Sequence, residues 1–194
     1  MDLPAMVGVH IGQEPDFTAI VEVYFSGYSH TVINITRLPA DTHYNKLLEF
    51  LIKRIKILRM DGDYRVKIRV DATLIGSPVI DLIRSKIHNL IDVYLVGGYK
   101  PENKEDILML PKELMLSHLK LLFQRDRISA SFDKPESLMT NQEKQRLELF
   151  NSLKTEILSY KTKVHVDVAH WNPEGRTGEH DDLAIAMGLA CWPL

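Results

Sequence analysis

Three segments of β character come before Arg37, and after them the pattern alternates between strand and helix. Thr18–Phe25 (TAIVEVYF) and His30–Arg37 (HTVINITR) alternate apolar with polar residues and are rich in β-branched types, while Met6–Ile11 is a short apolar run. The Ser26-Gly27 pair predicts a hairpin between the second and third strands. Asp41 is then placed to cap a long helix in which Leu47, Leu48, Leu51, Ile52, Ile55 and Leu58 recur at helical spacing, until Asp61-Gly62-Asp63 breaks it. Arg65–Asp71 reads as a fourth strand, and Pro78 opens a short helix to about Ile87. Ile91–Val96 reads as a fifth strand, closed by Gly97-Gly98. Leu110-Pro111-Lys112 leads into a helix with Leu114, Leu119, Leu122 and Phe123 on one side, and another helix runs from Asn141 to Ser159. Lys163–Val168 reads as a weak strand, Trp171–His180 as a polar loop, and Asp181 or Asp182 as the start of an apolar final helix. The order β-β-β-α-β-α-β-α-α-(β)-α predicts an α/β fold. Its mixed sheet would have three antiparallel strands, then strand–helix alternation, with helices on both faces.

At 194 residues, without repeat or linker, one domain over 1–194 is expected. Ser131–Thr140 is expected to be the most mobile stretch in the middle of the chain. With 24 Lys+Arg against 26 Asp+Glu, net charge does not decide for or against nucleic acid; only a local basic patch could. One cysteine, Cys191, excludes an internal disulfide framework and fits a reducing compartment. No apolar run has membrane-spanning length and no signal-peptide pattern opens the chain, so a cytosolic protein is expected.

Carboxylates at strand ends and at a helix start are the residues with chemical potential. Hydrophobic runs that end in Asp, followed much later by an Asp pair opening a helix, suggest a Mg²⁺ or Mn²⁺ site suited to phosphodiester chemistry. Each member also has an ordinary reading. Asp71 could serve as a turn or cap aspartate before Pro78. The macrodipole and capping account for either Asp181 or Asp182, although an adjacent pair costs repulsion that a cation would relieve. Asp16 could be a plain loop residue, His10 a satisfied core histidine, and Lys112 a solvated residue at a helix start. Neither phosphate-binding glycine fingerprint occurs, and Gly97-Gly98 lacks their spacing, so ATP hydrolysis within the chain is not expected. No GxSxG elbow is present, and His165 with His170 has too little around it for a zinc site.

Four segments, in order, resemble the nuclease domain of the large subunit of phage terminases. They are VGVHIGQEPDFTAI, VDATLIGSPVIDLI, LPKELMLSHLKLLFQRDRISA and HDDLAIAMGLACW. The resemblance implies an RNase H-like fold and a two-metal endonuclease that uses Mg²⁺ or Mn²⁺ to cut double-stranded concatemeric DNA during packaging. It implies metal ligation by Asp71, Asp181 and Asp182, with Asp16 as an additional acid and His180 preceding the pair. It also implies a short strand after the helix that follows Lys112. Implied partners are an ATPase domain or subunit, the small terminase subunit and the portal, in the cytoplasm of a host cell. Lys112, Arg176 and Lys100 are candidate DNA contacts, as are Lys104, Arg125 and Arg127. Two departures stand out, besides the absence of an ATPase domain. His10 occupies the position of the family's first catalytic aspartate, where imidazole brings one lone pair and no negative charge. Leu74 replaces a family glycine just after Asp71. The resemblance therefore leaves open a nuclease-like domain with a weakened site that serves DNA binding or assembly.

Overall fold

The computed structural model describes residues 4–12, 16–39, 41–60, 66–159 and 181–193. Its strands are β1 (Ala5–His10), β2 (Thr18–Phe25), β3 (His30–Leu38), β4 (Val66–Asp71), β5 (Leu90–Val96), β6 (Glu102–Lys104), β7 (Ile107–Pro111) and β8 (Ile128–Ala130). The helices are α1 (Tyr44–Met60), α2 (Ser77–Arg84), α3 (Lys112–Gln124), α4 (Asn141–Ser159) and α5 (Asp182–Cys191). One sheet runs in the order β6-β7-β5-β4-β1-β2-β3-β8. Strands β1, β2 and β3 form an antiparallel meander, whereas β1, β4, β5 and β7 are successively parallel.

Alternation along the strands divides the core into two layers. Val7, Val9, Ile20, Ile68 and Val70 pack with Leu47, Leu51 and Leu58 of α1 and with Ile80 and Ile83 of α2. Met6, Ala19, Val21 and Ile35 point the other way, toward α3, α4 and α5. The α/β class and the mixed sheet expected from the sequence are both present, and several boundaries differ. Asp41 does not cap α1; it lies in a turn closed by Thr42 N–H on Pro39 C=O, and the helix begins at Tyr44. Helix α2 stops at Arg84 rather than near Ile87, where Ser85 Oγ donates to Leu82 C=O. Strands β6 and β7 depart from the sequence expectation, because ENK is polar and fully exposed and Leu110-Pro111 reads as the approach to a helix. Strand β8 sits where the resemblance implied a short strand after α3. Ser131–Thr140, expected to be mobile, contains a 3₁₀ turn at Glu136–Leu138 and is tied to α4 by the Lys134–Glu143 and Lys144–Glu136 pairs. The strand expected at Lys163–Val168 and the loop at Trp171–His180 lie outside the described residues.

Helix α5 is buried along its whole length and lies directly on β1. A Cβ added at Gly8 would fall 1.9 Å from the Ala186 carbonyl oxygen and 2.7 Å from the Ala190 nitrogen. Both are backbone atoms, and neither can move without displacing the helix. Its far end is held by Arg69, which donates to the carbonyls of Leu189 (2.9 Å), Trp192 (2.6 Å) and Pro193 (3.1 Å). These bonds satisfy acceptors that a helix C-terminus leaves without intrahelical partners. Gly8→Ala is expected to destabilise the fold by about 3 kcal/mol or more, read from urea unfolding. Gly76→Ala, whose nearest neighbour would be Pro78 Cδ at 3.4 Å, is expected to stay within about 0.5 kcal/mol of the parent.

Candidate active site

Parallel pairing brings the carboxyl ends of β1, β4, β5 and β7 to one end of the sheet, where open α/β sheets place their ligands. The register sets Val9 beside Val70, so that His10 and Asp71 follow as neighbours on the α5 side. The carboxyl end of β3 reaches the same end, since Arg37 pairs with Ala19 and Ala19 with His10. Lys112 opens α3 directly after β7, and Asp181 and Asp182 begin α5. Strand register alone therefore assembles residues far apart in the chain.

Asp71 is held on both oxygens. His10 Nδ1 lies 2.9 Å from Oδ2. Thr73 donates its backbone N–H (3.0 Å) and its hydroxyl (2.5 Å) to Oδ1, and the same hydroxyl accepts the Leu95 N–H at 2.8 Å. Burial alone would raise the Asp71 carboxyl, but the His10 bond and charge and the two Thr73 bonds outweigh it and hold the group below the usual carboxylate range. The stability it contributes is therefore present above the ordinary aspartate range and is lost as pH falls through the lowered folded value.

Asp182 is almost fully buried, and Arg37 clamps it with Nε on Oδ2 (2.8 Å) and Nη2 on Oδ1 (3.1 Å). Burial pushes this carboxyl up, with Arg37 and then His10 opposing. The Arg37 guanidinium also lies over the Phe17 ring at 5.3 Å, so the turn that carries Asp16 packs against the site through its neighbour. Asp181 is half-exposed and accepts from Lys112 Nζ at 2.5 Å. Its carbonyl accepts the first helical bond from Ile185 N–H at 2.9 Å, so Asp181 caps α5 through its backbone.

Of the residues singled out from the sequence, His10, Asp71, Asp181, Asp182 and Lys112 come together at this end of the sheet. Lys100 is exposed on the loop after β5, and Arg176 and His180 lie outside the described residues. Lys104 and Arg127 are at the opposite end, beside the start of β7 and the start of β3 respectively. Arg125 closes α3 at its far end. Leu74 is exposed and does not fill the site.

Two participants were not read from the sequence. Arg37 looked like an ordinary strand terminus, although it shares a face with Ile35 two residues earlier. Glu156 on α4 is raised to about 7, by burial first and then by the charges of Asp181 and Asp182, against an opposing pull from Arg37. It lies between Leu153 and Ile157 on the inward side of α4.

The donors are hard oxygens suited to Mg²⁺ or Mn²⁺, and each already has a basic partner. Asp71 is bonded to His10, Asp182 to Arg37 and Asp181 to Lys112. Among the described residues, no three His, Cys, Asp or Glu side chains are grouped to hold an ion.

Comparison with solved structures gives the fold its place. The chain aligns over 97% of its length with the Mn-soaked human cytomegalovirus terminase nuclease domain (TM-score 0.58, 13% identity, 82% of that chain). It aligns equally far with the large terminase nuclease of thermophilic phage G20c (0.57, 17%, 81%). The Mn-bound nuclease domain of the bacteriophage SPP1 large terminase matches over 96% of the chain (0.53, 14%, 84%). The chain has the fold of a large-terminase nuclease domain. That fold is RNase H-like, as the sequence resemblance implied. The phage G20c nuclease has been solved with zinc and with magnesium. No protein-family model and no curated protein matches the chain.

The raised Glu156 carboxyl has a testable consequence for stability. Folding is disfavoured as this group ionises, so stability should fall between the ordinary glutamate value near 4.3 and about 7. Glu156→Gln is expected to raise Tm at pH 8 and to change it little at pH 5, by scanning calorimetry at both pH values.

Proposed function

We propose that this chain serves as the nuclease domain of a terminase large subunit, binding double-stranded DNA at the carboxyl end of its sheet and cutting it during genome packaging. The observation that carries this reading is the terminase-nuclease fold with Asp71, Asp181 and Asp182 together at a strand end and a helix start. Phosphodiester hydrolysis there calls for a divalent cation, Mg²⁺ or Mn²⁺, and these three aspartates are its candidate ligands, with Asp16 beside them. To take an ion they would have to release His10, Lys112 and Arg37. An ATPase domain or subunit, the small terminase subunit and the portal are the partners this role implies. One domain over residues 1–194 suffices for it. Among the described residues, no helix is long and apolar enough to cross a membrane.

A second reading is favoured by the His10–Asp71 bond. A carboxylate at position 10 could bridge two ions; an imidazole cannot, and here it occupies an oxygen of the neighbouring acid. On that reading the domain keeps DNA binding or assembly and has lost most of its cleavage. Plasmid cleavage with Mn²⁺, Mg²⁺ or EDTA separates the two. The nuclease reading expects metal-dependent nicking that vanishes in Asp71→Asn. Duplex binding without cleavage in any metal would leave the second.

His10→Asp offers a readout independent of turnover. Two carboxylates at hydrogen-bond distance repel without a counter-ion. The variant is therefore expected to melt below the parent in EDTA and to recover on addition of Mn²⁺, measured by calorimetry.

A further inference from the structure

Against an overall charge of −2, one groove beside the acidic site is basic. It has a volume of about 260 Å³ and lies between β3 and α4, lined by Thr36, Arg37, Gln142, Gln145 and Arg146 over an apolar base of Ile35 and Leu149. Among the described residues, no carboxylate lines it. The acids of the first two turns of α4 are turned to other tasks: Glu143 accepts the Thr140 N–H and hydroxyl and pairs with Lys134. Among the described residues, Arg146, Gln142 and Gln145 make no side-chain hydrogen bond. Gln142 also belongs to the first turn of a 19-residue helix, where backbone N–H groups and the macrodipole favour an anion.

Two features of the sheet extend the groove. Strand β8 pairs only with His30–Val32, so the outer edge of β3 from Asn34 to Leu38 has no strand partner among the described residues. Arg37 belongs to both places: it lines the groove and clamps Asp182 with Nε and Nη2, leaving Nη1 uncommitted to that pair.

We infer that the β3–α4 groove binds the phosphodiester backbone of the nucleic acid, with Arg146 as the principal phosphate contact and Gln142 and Gln145 as hydrogen-bonding neighbours. This deepens the proposed function and rests on its DNA substrate. Arg146 and two amides, with no carboxylate bonded to them among the described residues, suit an acceptor-rich anion, and guanidinium geometry suits phosphate oxygens in particular. Contacts of this kind position the duplex and carry no sequence information. The groove's direct continuation into Arg37 and Asp182 puts a bound phosphate beside the acids.

The test is fluorescence-anisotropy titration of the whole chain with a labelled duplex in EDTA, over a series of salt concentrations. Removing one phosphate contact lowers the log–log salt slope by about 0.9, which at 0.1 M salt corresponds to roughly eightfold weaker binding. Arg146→Gln is expected to show both effects. Arg146→Lys should restore the slope, and Lys86→Gln, exposed between α2 and the start of β5 at the opposite end of the sheet, should leave slope and affinity unchanged. Far-ultraviolet circular dichroism and Tm confirm that each variant is folded; should Arg146→Gln fail to fold, Gln145→Glu carries the same test by placing a negative charge in the groove. Parent-level binding and slope in the folded groove variant, with a parent that binds duplex, would overturn the groove assignment and leave the proposed function standing. A parent that does not bind duplex at all would overturn both.

Discussion

Everything at the acidic end of the sheet depends on how closely α5 lies against β1. The helix carries almost no polar residue after Asp182 and is buried on every side, so no pattern of its own sets its rotation or height. Gly8 sets the height, because its missing side chain lets the Ala186 carbonyl and the Ala190 amide approach the strand. Gly188 does the same on the opposite side, where Met115 atoms stand 2.9 Å from where its Cβ would be. Arg69 then fixes the helix along its axis by binding its terminal carbonyls from beneath, at the cost of a buried guanidinium lowered to about 10 by that burial. With these three constraints the N-terminus of α5 has one position, over the ends of β1 and β4. A side chain at residue 8 would move Asp181 and Asp182 as a unit.

The charges placed there differ from those of another buried ion pair, Glu22 with Arg54. Glu22 on β2 is completely buried, bound by Arg54 through two bonds of 2.7 Å and by Asn34 at 2.9 Å, between the sheet and α1. It has a satisfied set of partners and no exposed neighbour, which is a structural arrangement. Asp182 has the same two-pronged arginine clamp, yet it adjoins a half-exposed Asp181 and lies within electrostatic reach of Glu156 and His10. Breaking a buried pair by removing one partner costs about 3–5 kcal/mol. Asp182 can therefore release Arg37 only to another cation bound at least as well.

How much of this could be read from the chain follows from what is local and what is not. Strands with alternating β-branched residues, the leucine-spaced α1 and the apolar run after Asp182 are governed by near neighbours, and they were legible. Strand β6 was not, because three exposed polar residues become a strand only by pairing with β7. The boundary at Asp41 failed because a turn closed by Pro39 competes with the cap. In the site, Asp71 and the Asp181-Asp182 pair were visible as acids at element ends. The partners that neutralise them were not: Arg37 is 145 residues from Asp182, and Lys112 is 69 from Asp181. Glu156 had a local signal, an acid between Leu153 and Ile157 on the inward stripe of α4, and only the packing of α4 near α5 gives it meaning. Thr73 looked like a small turn residue; its hydroxyl links the Leu95 amide to Asp71.

The shared position of Arg37 couples the two sides of this region. A phosphodiester in the proposed groove competes with Asp182 for the same guanidinium, and every increment of attraction toward the phosphate weakens the hold on the carboxylate. By linkage the effect is reciprocal. A cation that replaces Arg37 at Asp182 releases the guanidinium to the groove and strengthens the site for polyanion. Neither change alone is favourable, since a phosphate drawing Arg37 away uncovers a buried negative charge, and a cation arriving without a phosphate leaves Arg37 unpaired. Together they cancel, because each ion supplies the partner that the other removed. On the proposed assignment the groove and the acids act as one electrostatic unit, and nucleic acid and cation should then bind to it with positive cooperativity.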